Sequence, residues 1–283
     1  MNATCIIVLN YNNGPKTVQC ISGIMKQTLP GYRIILIDNH STDDSLGVIQ
    51  EFLLRARLRF RFIEPPNGIT GALPGPDEVL IVKSPRNGGY SCGNNIGIRL
   101  AASLSLFRYL LIINNDVVLK ETFLEEMVKR YEHLSRSFGT TRIALGATEL
   151  GEDGNVHHHG FHYIHLLTGI PLNLPVFPSF KYIVGSCIFT PIDAPLMDES
   201  FFLYFDDTRY SKILRSNGYI LENSPGSSYI HSIGETVNMG LQGYLFSGLL
   251  RFYRLHYPIL LPLVVPVRAL LILYLFIKTR ILQ

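Results

Sequence analysis

Over its first 150 residues the chain alternates short apolar runs with longer segments of mixed polarity. Thr4–Leu9 is almost continuously apolar, the pattern of a strand covered on both faces. Asn12-Asn13-Gly14-Pro15 reads as a turn, and Pro15 is placed to open a helix running to about Met25. Arg33–Ile37 is a second apolar strand, closed by Asp38. Ser41-Thr42-Asp43-Asp44 offers N-cap side chains for a helix to about Leu54. Further strands are predicted at Arg59–Ile63, Val79–Val82, Tyr109–Ile113 and Ile143–Thr148, with helices at Ser91–Ser103 and Thr122–Ser135. Pro65–Pro76, rich in Pro and Gly, reads as a mobile loop. Repeated β-α units of this length predict an α/β fold, Rossmann-like, with a mostly parallel sheet between helices.

Beyond residue 150 the periodicity loosens. Val156–Leu167 holds five histidines and no clear period. Lys181–Thr190 reads as one strand, a helix is expected from Asp206-Asp207 to about Asn217 with Gly218 as its cap, and Ser228–Ser232 reads as a short strand. The stretch Ile259–Ile277 carries a single charge, Arg268, and approaches the roughly 17–25 residues of a membrane span. Pro262, Pro266 and Arg268 oppose a simple span, and Arg251, Arg254, Lys278 and Arg280 flank it with positive charge. An in-plane or re-entrant membrane helix is the preferred reading, ahead of a helix packed on protein and of a true span.

Composition sharpens this picture. Charged residues make up 17% of the chain, below the roughly 25% of an ordinary soluble domain, and much of the deficit lies at the C-terminal end. A net charge of +3 suits an anionic nucleotide or membrane, while the lack of a basic run or base-reading motif excludes a nucleic-acid partner. Cys5, Cys20, Cys92 and Cys187 show no CxxC spacing and are expected to be reduced. The apolar run at the N-terminus is too short for a signal peptide, so the catalytic part is expected in the cytoplasm.

In open α/β sheets, ligands bind beyond the carboxyl ends of the strands. Three polar clusters fall at such ends: Asn10-Tyr11-Asn12, Asp38-Asn39 and Asn114-Asn115-Asp116. Asp116 suits a hard divalent cation with diphosphate oxygens; its bland reading is a turn or a cap. The glycine-rich segment Asn87–Gly97 could face an anion with backbone N–H groups, though it lacks the pattern of a P-loop. Asp206-Asp207 follows Phe201-Phe202-Leu203-Tyr204-Phe205 and is a candidate general base, with burial and mutual repulsion expected to raise at least one pKa. Capping of the helix is the alternative role. His231, alone in its strand, is either structural or a ligand. His157-His158-His159 cannot converge on one ion from a regular strand.

Taken in order, these pieces resemble the family 2 glycosyltransferases with the GT-A fold, in particular the rhamnosyltransferase-like branch. The resemblance covers about residues 3–240 and rests on Ile7–Asn12, Ile37–Asp43, Asn87 with Gly93–Gly97, Leu111–Asp116, Phe202–Asp207 and His231. It implies that Tyr11, Asn12 and Asp38 contact the nucleoside and that Asn94 and Asn115 lie near the donor. Asp116 would hold Mg²⁺ or Mn²⁺ and the diphosphate, with His231 on the metal side. Asp207 would be the base, paired with Asp206. Asn114 and Asp206 replace more usual acids, and Arg209 stands where many members have another acid. An anionic acceptor or a lipid-linked phosphate is one expected partner for Arg209.

The expectation is an inverting transferase that moves a sugar from a UDP- or dTDP-sugar to a hydroxyl of a glycan or lipid-linked acceptor, in cell-surface polysaccharide synthesis. Residues 1–240 would form the catalytic domain, with a nucleotide-binding half at 1–120 and an acceptor half at 121–240. Residues 241–283 would hold it to the inner face of the cell membrane or serve a homodimer. A nucleotidyltransferase and a non-catalytic scaffold on a decayed transferase fold are the alternatives.

Overall fold

The computed structural model describes residues 3–63, 75, 78–231 and 241–281, with side chains up to residue 271. The predicted mobile loop Pro65–Pro76 lies outside the described residues except for Gly75. The first elements are β1 (Thr4–Asn10), α1 (Gly14–Met25), β2 (Arg33–Asp38), α2 (Ser45–Arg55), β3 (Arg59–Ile63), β4 (Glu78–Lys83) and α3 (Gly89–Ser103). They continue as β5 (Tyr109–Asn114), β6 (Val117–Leu119), α4 (Phe123–Phe138), β7 (Ile143–Leu150), β8 (Val156–His159), β9 (Phe161–His165) and β10 (Pro171–Leu172). The last are β11 (Ser179–Ile183), β12 (Cys187–Pro191), α5 (Asp206–Ser216), β13 (Ile220–His231), α6 (Gln242–His256) and α7 (Leu261–Ile281).

Among the described residues, ten strands form one sheet in the order β3-β4-β2-β1-β5-β12-β7-β13-β6, with β8 paired to β7. The run β3-β4-β2-β1-β5 is parallel throughout, and β7 and β13 are also parallel. A strand in such a sheet buries both of its faces, which explains the unbroken apolar runs. Ile6 and Val8 of β1 face a core shared with α1, α2 and α4, while Cys5 and Ile7 face a second core under α3 and α5. Each buried Ile or Val contributes roughly 1.5–3 kcal/mol relative to exposure. Cys5, Cys20 and Cys187 are free and buried in these layers, and Cys92 is free and partly buried.

The structure departs from the predicted elements in three places. Lys181–Thr190 is two strands, not one. β11 belongs to a small sheet with β9 and β10, β12 belongs to the main sheet, and Val184-Gly185-Ser186 carries the chain between them. The β-branched residues on both sides of Gly185 hid this break. β13 is far longer than Ser228–Ser232, because a bulge between Ser224 and Ser228 absorbs Pro225 and Gly226 within one strand. The histidine-rich stretch is β8 and β9, joined at Gly160, whose φ is +85°.

At the C-terminal end α6 leads through a single 3₁₀ turn, Pro258–Leu260, into α7, which contains Pro266. Leu249, Phe252 and Tyr253 of α6 and Val264 of α7 pack with Ile164, Phe180 and Phe205 in a third core. Among the described residues no helix is long and apolar enough to cross a membrane.

One contact joins the start of α3 to the segment before α5. Gly89 opens α3 at φ +81°, a left-handed value that glycine adopts freely. The next amide, Tyr90 N, donates to Phe202 O at 2.8 Å, and a Cβ on Gly89 would strike that same carbonyl. Gly89→Ala is therefore expected to destabilise the protein by about 1–3 kcal/mol in chemical denaturation. An unchanged midpoint would contradict this packing.

Candidate active site

β2, β1 and β5 are neighbours in one parallel run, so Asp38, Asn10 and Asn114 end side by side. Asn10 is buried at their centre. Its Nδ2 donates to Asp38 Oδ1 at 2.9 Å, and its Oδ1 accepts from Thr17 Oγ1 at 2.7 Å and Asn115 Nδ2 at 3.1 Å. Asp38 also accepts from Ser41 Oγ and the Ser41 amide. Asp38 and Asn115 thus brace the floor of the strand ends, and Asn115 further donates to Thr17 Oγ1 at 2.8 Å. Asn12, at φ +51°, holds the opposite loop through Thr42, its Oδ1 accepting from the Thr42 amide at 2.7 Å. Tyr11 between them is 45% exposed.

The glycine-rich segment serves packing instead of anion capture. The amides of Gly88, Gly89 and Tyr90 already donate to Asn39, Asn87 and Phe202 respectively. A Cβ on Gly97 would sit 2.8 Å from Ile7, so these glycines let α3 press on β1. Asn94 is buried in α3; its Nδ2 donates to Tyr90 O, and its Oδ1 is a buried oxygen without a partner among the described residues.

Asp116 follows β5, and β6 pairs with β13 so that Val117 lies opposite His231. This register brings His231 Nε2 to 3.2 Å from Asp116 Oδ1, an oxygen that is buried and accepts no well-aligned hydrogen bond. His231 Nδ1 lies 3.0 Å from Glu149 Oε2. Burial opposes charge on His231, but Asp116 and Glu149 on its two sides outweigh it and raise its pKa to about 9. Burial likewise opposes charge on Glu149, yet hydrogen bonds from His158 and His231 hold it far below the usual carboxylate range.

Glu149 is the residue that sequence reasoning missed. It lies one residue before the end of β7, the same kind of position that pointed to Asp38 and Asp116. Besides His231 it has His158 Nε2 at 3.1 Å, His157 Nδ1 at 3.3 Å, Ser186 Oγ at 3.1 Å and Tyr229 OH at 3.0 Å. Two adjacent histidines reach one carboxylate because β8 is bulged opposite Glu149 and Leu150. His159 points away and is exposed.

Ser186 links this cluster to the second carboxylate group. Its neighbour Gly185 donates its amide to Asp207 Oδ2 at 3.1 Å, and its own carbonyl accepts from the Asn114 amide at 3.2 Å. Asp207 also accepts from the Thr208 amide at 2.6 Å and Thr208 Oγ1 at 3.2 Å. Tyr204 and Phe205, at φ +63° and +60°, form the strained turn that delivers Asp206 and Asp207 to the start of α5. Burial raises the pKa of both, and Asp207 pushes Asp206 up further. Hydrogen bonds from Thr208 and Gly185 offset part of the rise at Asp207, and Asp206 beside it is only 8% exposed. The expected rise in pKa is therefore present on both acids. Arg209, expected to meet an anionic acceptor, instead donates to Asp198 Oδ2 at 2.9 Å and lies 3.0 Å from His256 Nε2.

The residues fit a divalent cation in part. A hard cation takes oxygen ligands and leaves places for substrate and water. Asp116 Oδ1 offers one such oxygen, and Glu149 orients the His231 ring that faces it. Among the described residues no group of three or more His, Cys, Asp or Glu side chains converges as a complete cage.

Two outcomes follow. A carboxylate whose folded pKa is raised loses stability as pH climbs above its unfolded value near 4, so Asp206→Asn should stabilise the protein at neutral pH by on the order of 1 kcal/mol. That gain should vanish at pH values below about 4; thermal melts across this range test it, and a loss of stability at neutral pH would contradict it. Glu149→Gln should cost about 2–4 kcal/mol in urea denaturation, because it strands several buried donors at once. A cost under about 0.5 kcal/mol, typical of surface positions, would contradict the hub.

Comparisons with known proteins show the family and the fold. The model of glycosyl transferase family 2 matches residues 5–158. The chain is 25% identical over 127 residues to the glycosyltransferase GlyG of Streptococcus pneumoniae serotype 4, covering 45% of this chain and 34% of GlyG. The crystal structure of GalNAc-T7 with UDP, GalNAc and Mn²⁺ aligns with a TM-score of 0.62 at 13% identity, over 90% of this chain and 48% of that one. The mannosyltransferase PcManGT from Pyrobaculum calidifontis, in complex with GDP-Man and Mn²⁺, aligns at 0.58 and 9% identity, over 89% and 63%. The chain thus spans about a third of GlyG and under two thirds of both structures. These likenesses bear out the GT-A fold that the resemblance implies. With its carboxylates gathered at the strand ends and the family match running from β1 into β8, the chain belongs to glycosyl transferase family 2.

Proposed function

We propose that the protein is an inverting glycosyltransferase of the rhamnosyltransferase-like branch. It moves a sugar from a UDP- or dTDP-sugar to a hydroxyl of a glycan or lipid-linked acceptor in cell-surface polysaccharide synthesis. The observation that carries this reading is the chain of contacts Asp116–His231–Glu149–Ser186, continued through Gly185 to Asp207. It supports the reading because it connects Asp116 to Asp207, whose pKa is raised.

In this reading Tyr11, Asn12 and Asp38 hold the nucleoside, while Asn94 and Asn115 shape the donor side. Asp116 and His231 would hold Mg²⁺ or Mn²⁺, which when bound stabilises the negative charge of the leaving nucleoside diphosphate. Asp207 takes the proton from the acceptor hydroxyl as it attacks. Asp206 is buried beside it, and burial raises the pKa of both acids. Residues 1–120 form the donor half, 121–240 the acceptor half, and 241–283 the segment that brings the enzyme to the inner face of a membrane. The cavity and exposed apolar residues at that end support the last assignment.

The test is nucleoside diphosphate release from a panel of nucleotide sugars, with and without Mn²⁺. Release is expected with a UDP- or dTDP-sugar and an acceptor, and Asp207→Asn should slow it about 10²–10⁴-fold while donor binding persists. The rate should fall on the acid side at a pH above the ordinary carboxylate range, because Asp207 must be ionised and its pKa is raised. Release of pyrophosphate would instead indicate a nucleotidyltransferase, and neither release nor nucleotide binding would indicate a scaffold.

A further inference from the structure

The segment Ser200–Leu203 and helix α6 enclose a cavity of about 530 Å³, within the roughly 300–1,000 Å³ of small-ligand sites. Its lining includes Phe202 and Tyr244, stacked with ring centroids 4.9 Å apart, the aliphatic side chains of Leu250 and Leu255, and the guanidinium groups of Arg251 and Arg254. Arg251 lies over the Phe201 ring at 6.0 Å. Both arginines are exposed, and among the described residues neither has a carboxylate partner. Arg209, by contrast, spends its charge on Asp198.

The chemistry of this lining is selective. No carboxylate or amide side chain lines the cavity, so a polyol finds only three hydroxyls, of Ser200, Ser247 and Tyr244, as side-chain acceptors. Two uncompensated guanidinium forks favour a phosphate, which they can grip in a bidentate manner. The leucines and rings favour an alkyl chain. Exposed apolar residues continue the surface outward from Leu255 through Ile259, Leu263 and Leu270.

The position is also specific. The wall Phe201–Leu203 runs directly into the strained turn that presents Asp206 and Asp207. α6 is seated on that turn so closely that a Cβ on Gly248 would lie 2.6 Å from Tyr204 O. The cavity therefore adjoins, through Phe201–Leu203 and Gly248, the turn that presents the proposed base.

We propose that this cavity seats the phosphate and first carbons of a lipid phosphate that carries the acceptor sugar, with Arg251 and Arg254 holding the phosphate. The assignment rests on the reading of the protein as a glycosyltransferase with Asp207 as base.

Binding to the full chain, measured by calorimetry without donor, tests it apart from transfer. The probes are octyl phosphate, octyl glucoside with the same chain and an uncharged head, and inorganic phosphate. Octyl phosphate is expected to bind at least about tenfold more tightly than either control. The double variant Arg251→Ala/Arg254→Ala should lose about tenfold of that affinity or more, and Arg251→Lys/Arg254→Lys should recover part of it. Equal binding of octyl glucoside, equal binding of inorganic phosphate, or an unchanged affinity in the alanine double variant would each overturn the assignment. A wild-type protein that binds octyl phosphate through these arginines, yet releases no nucleoside diphosphate from any donor, would overturn the transferase reading and leave the phosphate site standing.

Discussion

A single buried carboxylate, Glu149, organises the chemistry of this molecule. It sits one residue before the end of β7, paired on one side with Tyr229 of β13 and on the other facing the bulge of β8. An unpaired charge there would cost several kcal/mol. The surrounding histidines and hydroxyls remove that cost, and in doing so they fix the ring of His231 beside Asp116 and the backbone at Ser186 beside Asp207. The stability of the cluster and the geometry of the site are the same set of hydrogen bonds.

The parallel half of the sheet was legible because its physics is local. An apolar strand buried on two faces, a polar strand end and a helix of definable length repeat often enough to fix both order and direction. Rules about strand ends then located Asp38, Asp116 and their neighbours without any contact information. The antiparallel half was harder for a definite reason. Gly185 splits what reads as one β-rich run, whereas Pro225-Gly226 lies inside a single strand of which only the end, Ser228–Ser232, is read from sequence, so glycine marks a break in one case and a bulge in the other.

Glu149 escaped notice because its importance lies in partners distant in sequence. His231, Ser186 and the β8 histidines meet it only after β7, β8, β12 and β13 have assembled. The histidine triplet illustrates the point. Strand alternation predicts rings on opposite faces, but the bulge in β8 turns two of them toward one acid. Arg209 shows the converse, a charge that looks available in the sequence and is consumed by Asp198 in the fold. The arginines of α6, by contrast, line a cavity whose lining residues include no acid.

The central claim is that the donor-side carboxylate and the base share one cleft organised by Glu149. A crystal structure of the protein with Mn²⁺ and a nucleoside diphosphate tests it most directly. The account predicts the ion on Asp116 with His231 beside it, the nucleoside over Tyr11 and Asp38, and the Asp207 carboxylate facing the open end of the diphosphate. A nucleotide bound elsewhere, or an ion that engages neither Asp116 nor His231, would contradict it.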